Sequence, residues 1–255
     1  MRWSKRLFGV ILFFLLWQLI SASGLVSAEY FPAATTAARA LLGMLATADF
    51  WASFATTAVR LFTGLAIALA LGLGLALLTA RAVLFRRMLD PLVEIMRVLP
   101  PPALVPIAIY GLGLGPRMFL FIIVNAAIWP IYINAANALS STEPMQILTG
   151  RAYGYSASQI LWRLRFPAAL PEIFIGIRIA AGFALLATIA AEMLAGTNGL
   201  GYQLYNAGFS LETPQMFALM FVIGVFGVVI QMLTILARRI FISWHTTLAA
   251  MAQPL

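Results

Sequence analysis

Apolar stretches close to the roughly 20 residues that a helix needs to cross a hydrocarbon layer about 30 Å thick recur through this chain. They occupy residues 60–80, 118–139, 173–196 and 214–237, with two shorter or more broken runs at 7–20 and 99–115. Hydrophobic residues make up 63% of the 255 and charged residues 9%, too little polar surface to wrap a water-soluble core. The expected fold is therefore an all-α, polytopic membrane protein with about six transmembrane helices. Only helices or closed barrels satisfy their backbone in lipid.

The charges set the orientation. Three basic residues precede the first run, four lie between residues 81 and 97, three between 150 and 171, and two at Arg238 and Arg239, so twelve of the 16 sit on one predicted side. Arg39, Arg60 and Arg117 fall on or near the other side, and Arg178 falls within a span. That bias predicts both termini in the cytoplasm. The opening residues also fit a cleavable signal peptide, with Arg2, Lys5 and Arg6, a short apolar core, and small residues from Ser21 to Ala28. The other reading is an uncleaved first span. The net charge of +8 does not point to nucleic acid, because the basic residues cluster at the ends of apolar runs.

Residues 1–57 read as a first span and an outer-side segment, with an amphipathic helix near 35–47. Residues 58–243 form the membrane core, and 244–255 a cytoplasmic tail holding the single histidine, His245. Gly64, Ala68, Gly72 and Ala76 share a face of the second span and would let another helix approach closely. Residues 81–97 fit an inner loop or short surface helix. The third span is entered through Pro100, Pro101 and Pro102, which cannot sit deep in a regular helix. Residues 197–213 read as a Gly-rich outer loop, and residues 115–117 as a tight outer turn.

Catalytic chemistry is hard to place. Lys5 is the sole lysine and no G-x-x-x-x-G-K-[ST] run is present, so the chain offers no P-loop site for ATP. One histidine and no cysteine leave no His–His or Cys-based metal pattern. The Gly pairs at 111–115 and 199–203 are not expected to open helices and do not read as nucleotide loops. No catalytic residue and no metal ligand is expected. In the spans, Asn125, Trp129 and Tyr132 share a helical face and, with Thr188, are candidates to line a pathway. Arg178 and Glu192 are about 40° apart around one helix and roughly 21 Å apart along it, too far to pair. Each is either a pathway or gate residue or an interfacial charge, Arg178 by snorkelling and Glu192 near the outer end.

The most informative segment is polar. Residues 150–171 read GRAYGYSASQILWRLRFPAALP between two apolar runs. Residues 153–156 predict a break and 157–165 a short amphipathic helix, with Ile160, Leu161 and Leu164 on one face and Arg163 and Arg165 wet. Pro167 is expected to stop that helix, and Pro171 to prevent an immediate restart. This is a shape suited to docking on the inner face, although a basic loop lying on membrane lipid would have the same composition.

The segment resembles the cytoplasmic E-A-A loop of ABC importer permeases, whose pattern is E-A-A, three residues, Gly, nine residues, Ile, one residue, Leu-Pro. Gly154, nine residues, Leu164, Arg165, Phe166 and Pro167 keep that spacing, whereas Leu148, Thr149 and Gly150 replace the E-A-A triplet. In order along the chain, Arg60 with Gly64, Asp90-Pro91, Arg97-Val98-Leu99-Pro100, Pro130 to Asn134, Pro167 to Pro171, and Ala191-Glu192 before Gly199 to Tyr202 resemble the nitrate/sulfonate/taurine branch. The resemblance implies a type I ABC importer-like transmembrane domain in a bacterial inner membrane. It implies that residues 140–172 form an ATPase-coupling loop centred on Gly150, Arg151, Ala152, Tyr153, Gly154, Tyr155, Ser156, Leu164, Phe166 and Pro167. It also implies an ABC ATPase subunit dimer that carries ATP and Mg, a second copy of the permease, and a periplasmic or lipid-anchored solute-binding protein. The residues alone leave a cassette-independent secondary carrier or channel, or a membrane enzyme or assembly factor, as alternatives.

Overall fold

A computed structural model describes residues 2–242, so His245 and the predicted tail lie outside the described residues. Among the described residues the chain is helical and contains no strand. Eleven helices are numbered in chain order: α1 Arg2–Ala22, α2 Ala34–Leu45, α3 Ala48–Arg81, α4 Val83–Met96, α5 Val105–Leu112, α6 Pro116–Ser140, α7 Pro144–Ala152, α8 Ala157–Ile160, α9 Phe166–Ala195, α10 Leu200–Phe209 and α11 Thr213–Phe241. Four continuous helices among the described residues are long and apolar enough to cross a membrane: Ala48–Arg81, Pro116–Ser140, Ala157–Ala195 and Thr213–Phe241. The bent pair α4–α5 brings the number to five, and a shorter apolar helix, Ile11–Ala22 within α1, lies where the first of the expected six was placed.

The chain divides into two compact units. One consists of the residues up to Ala58 with Glu192–Phe226, the other of Val59–Ala191 with the residues from Gly227 onward. In the first unit α1 is stitched to the connection that leads into α2. The Trp17 indole donates to the Pro32 carbonyl at 3.0 Å, the Ser21 hydroxyl to Phe31 at 3.0 Å, and the Thr35 amide to Gln18 Oε1 at 3.2 Å. Phe14 meets Phe221 of α11 edge-on, and Trp17 packs at a tilt against Phe217. The expected amphipathic helix near 35–47 is α2. The expected outer loop at 197–213 is instead mostly α10, whose first turn is anchored on the Glu192 carboxylate.

The second unit is built on the close approach of α3 and α6. A Cβ built on Gly64 would fall 2.5 Å from Cγ2 of Ile123, and one on Gly72 2.9 Å from Cγ2 of Ile131 and 3.1 Å from the Ile128 carbonyl oxygen. Ala68 and Ala76, on the same face of α3, are fully buried. Small residues every four positions bring the two backbones together, and dispersion then replaces the missing hydrophobic drive between helices in lipid. Both contact pairs advance by two turns in the same direction, so α3 and α6 run parallel. The chain between them has to return across the same thickness.

That return is α4 and α5, which differ from the single third span expected at 99–115. α5 is 8 residues long, about 12 Å at 1.5 Å per residue and far too short to cross alone. Leu84–Met96 and Pro101–Leu112 are together long and apolar enough for one span, bent by 97°. The bend has a chemical cause: Pro100, Pro101 and Pro102 supply no N–H to continue α4, and Pro101–Leu104 closes as a single 3-10 turn. The second span also starts earlier than residue 60, since α3 runs unbroken from Ala48.

Candidate functional site

The polar segment folds as two helices meeting at a glycine. α7 ends in a Schellman arrangement. The Gly154 amide donates to the Arg151 carbonyl at 2.9 Å, and the Tyr155 amide to the Gly150 carbonyl at 3.0 Å. Gly154 itself has φ +77, the left-handed conformation that glycine adopts without a Cβ penalty. Two residues on, Ser156 opens α8 with a capping box: its hydroxyl accepts from the Gln159 amide at 3.3 Å and Gln159 Oε1 accepts from the Ser156 amide at 2.8 Å. The S-x-x-Q spacing is visible in the sequence and marks this helix start.

The break expected at 153–156 is therefore present, but the helix beyond it is not a short one. Leu161–Arg165 form a π turn, and the chain continues through Pro167 and Pro171 as one helix from Ala157 to Ala195, 39 residues long. A proline in a helix interior lacks its N–H and presses on the carbonyl four residues back. For Pro167 that carbonyl belongs to Arg163, inside the widened turn, which gives the ring room. The separate short helix is α7, upstream of the break.

α7 buries one side and bares the other. Gly150 is buried against the next helix, where an added Cβ would meet Cδ1 of Leu164 at 2.8 Å. Met145, Leu148 and Tyr153 point outward at 64%, 57% and 79% exposure. Leu148 occupies the first position of the missing E-A-A triplet, so an exposed aliphatic side chain stands where the pattern has a carboxylate. Ile160 and Leu161 are buried as the amphipathic pattern predicts, and Arg163 is exposed with its guanidinium 5.5 Å from the Tyr155 ring centroid. Arg165 departs from that pattern: its Nε is buried and has no hydrogen-bond partner.

The span candidates separate. Asn125 and Trp129 line a cavity of about 360 Å³ together with Arg97, Pro101 and Phe183, and the Trp129 indole N–H is buried without a partner. Tyr132 turns away from this cavity into a core with Ala76, Val93, Leu161 and Ile173. Thr188 is fully buried and its hydroxyl returns to the Ala184 carbonyl at 2.7 Å. Arg178 does not simply snorkel: its Nε donates to Gln231 Oε1 of α11 at 2.9 Å, and Gln231 Nε2 donates to the Arg178 carbonyl at 3.2 Å. Sequence reasoning missed Arg97 as a cavity residue, counting it only among the inner charges. The prolines after it were the available signal, since broken helices at membrane depth persist where they line a cavity.

Glu192 differs most from its expected environment. It is fully buried within the protein, away from the water that an interfacial carboxylate would meet. The Thr57 hydroxyl lies 2.9 Å from its Oε2 and 3.1 Å from Oε1, and the Gly201 amide donates to Oε2 at 3.0 Å. The same Thr57 oxygen accepts from the Leu200 amide at 2.8 Å. The carboxylate thus sits at the N-terminus of α10, where unpaired amides and the helix dipole favour negative charge. Gly199, with φ +108, caps α10, and a Cβ there would land on the carboxylate. The glycines at 199 and 201 do open a helix, as Gly115 opens α6, yet neither follows a strand among the described residues.

Comparison with known proteins places the chain among transport proteins. A family model described as the inner membrane component of binding-protein-dependent transport systems matches residues 68–244. The bicarbonate transport system permease protein CmpB of Synechocystis is 31% identical over 90% of this chain and 88% of its own length. The taurine transport system permease protein TauC of Escherichia coli is 28% identical over 90% and 85%. The nitrate import permease protein NrtB of Synechocystis is 34% identical over a shorter stretch, 56% of this chain and 52% of that protein. Two crystal forms of the inward-facing MetNI methionine ABC transporter share the fold, with TM-scores of 0.63 and 0.61, identities of 21% and 23%, and coverage of 72% and 76% of this chain and 92% and 94% of theirs.

Proposed function

Because the chain belongs to the binding-protein-dependent transport system inner membrane components, we propose that it forms half of the translocation pathway of an ATP-driven importer for a small oxyanion or a related small organic solute. It is a multi-pass inner-membrane permease. A second copy completes the pathway, a periplasmic or lipid-anchored binding protein delivers solute, and ATP with Mg is held by a separate ATPase subunit dimer. Both termini lie in the cytoplasm.

The observation that carries the coupling reading is the continuity of Ala157–Ala195. A displacement of α7 passes through the Gly154 turn into the base of a 39-residue membrane helix, not into a slack loop. Closure of the ATPase subunits supplies work only through different contact with α7 in its two positions. Met145 and Leu148 offer an apolar contact for that purpose, in place of the missing carboxylate.

Co-purification of the full chain with a P-loop ATPase, and uptake that requires ATP, test this assignment. Solute movement by the purified chain alone in liposomes, driven only by a gradient, would overturn it. Gly154→Val separates coupling from folding. Its side chain meets open space, so the burden is the left-handed backbone, roughly 1–2 kcal/mol or somewhat more for a β-branched residue. Membrane insertion is expected to stay normal while solute-stimulated ATP hydrolysis falls severalfold, and Gly154→Asn recovers most of it.

The span cavity offers polar groups to a small solute: the Trp129 indole N–H, the Asn125 carboxamide and the Arg97 guanidinium, itself held by the Glu94 carboxylate at 2.6 Å. Trp129→Phe keeps the ring and removes the donor. The solute concentration for half-maximal uptake is expected to rise roughly tenfold, the equivalent of one charge-assisted hydrogen bond.

A further inference from the structure

A second cavity, of about 420 Å³, lies beneath α7 and opens among three arginines: Arg81 at the end of α3, Arg151 on α7 and Arg165 in the π turn. Its remaining wall includes Ser158, Tyr155 and Leu161, with no carboxylate. None of the three guanidiniums has an ion-pair partner among the described residues, and Nε of Arg165 is buried with its hydrogen-bonding capacity unused. Three like charges around one cavity repel each other, and a buried guanidinium donor left empty is costly. An anion with several oxygens would relieve both at once, because guanidiniums pair with phosphate through parallel N–H···O bonds. We propose that this cavity is a phosphate-binding site that pins α7 to the membrane helices.

The ligand is a phosphate group, either on an anionic lipid of the inner leaflet or free in the cytoplasm. Arg81 terminates an apolar helix at the inner face, the depth at which lipid headgroups lie and at which basic pockets between helices hold them. The apolar part of the wall admits a glycerol backbone, and Ser158 and Tyr155 add hydroxyl donors. Occupancy bridges α3, α7 and the π turn, so it stiffens the segment through which coupling passes. This assignment does not depend on the solute that the permease carries.

The test uses the full chain in nanodiscs of phosphatidylcholine alone, of phosphatidylcholine with phosphatidylglycerol, and of phosphatidylcholine with millimolar inorganic phosphate. Hydrogen exchange across residues 144–156 is the readout, with native mass spectrometry reporting retained lipid. Protection in this segment is expected to rise at least tenfold with phosphatidylglycerol or with inorganic phosphate, and the arm that produces it identifies the source. Arg165→Gln abolishes the increase, and Arg165→Lys, which keeps the charge but loses the fork, recovers part of it. Size-exclusion profiles of the variants confirm that they fold. Equal protection in all three nanodiscs, or an increase that Arg165→Gln leaves intact, overturns the proposal. So does protection that arises only when an ATPase partner is added, which would make a protein carboxylate the occupant.

Discussion

Glu192→Ala is expected to lower the thermal stability of the purified chain and to expose α10 to protease before the rest of the molecule unfolds. The substitution leaves the Gly201 amide without its acceptor, leaves the Thr57 hydroxyl only the Ser53 carbonyl at 3.2 Å, and opens a void at a fully buried position. An orphaned buried donor costs about 1–3 kcal/mol, and the void adds to it. Glu192→Gln keeps an oxygen for one donor but turns an NH2 group toward another, so an intermediate loss is expected. Thr57→Val removes the hydroxyl that touches both the carboxylate and the Leu200 amide. Combined with Glu192→Ala it should add little, since the two residues act as one unit. In the importer, the same variants are expected to impair engagement of the binding protein at the outer face more than ATP hydrolysis itself. Melting and proteolysis indistinguishable from the unaltered chain would show that Glu192 does not hold α10.

Gly72→Leu should be the more damaging change to the membrane core. Even a methyl at this position comes within 3.1 Å of the Ile128 carbonyl oxygen and 3.0 Å of Cβ of Ile131, atoms on the backbone or at the root of a stiff β-branched side chain. Neither can swing aside as the tip of a long side chain can. Overpacking of this kind costs about 1–3 kcal/mol and at times more, and leucine adds three further carbons. Gly64→Leu repeats the problem against Ile123 two turns away, and the two effects should sum approximately. Gly74 provides the internal control. It lies on the same helix with nothing within 4 Å of an added Cβ, so Gly74→Ala should be neutral or stabilising by up to about 1 kcal/mol. The monodisperse yield and melting temperature in detergent measure all three. Equal behaviour of Gly72→Leu and Gly74→Ala would refute the close α3–α6 packing.

The glycine sites differ in how far the residues announce them. The four-residue spacing of Gly64, Ala68, Gly72 and Ala76 is legible because a helix has one period, and a stripe of small residues therefore lies along one face. Its partner is not, because nothing local to α3 specifies Ile123 and Ile131. Gly154 is legible as a break for a similar reason: it interrupts a helical pattern, and its left-handed conformation is a property of the residue. The course of the chain after it is not legible. Pro167 and Pro171 suggest an ending when each is weighed alone, but the widened turn at Leu161–Arg165 accommodates the Pro167 ring.

Composition, period and charge bias alone determined that this chain is a helical membrane protein, roughly how many times it crosses, and where a polar segment interrupts it. Those properties are sums over many residues or arise from short-range geometry, so single errors average out. Tertiary structure alone decided that Glu192 is buried at the start of α10, that Arg97 joins Asn125 and Trp129 around a cavity, and that Arg81, Arg151 and Arg165 surround another. Each of these sites joins residues distant in sequence, from 135 positions apart for Thr57 and Glu192 to a few tens for Arg97 and Trp129. A charge in an apolar sequence is equally compatible with the interface and the interior. Only the partners folded around it determine which one it occupies.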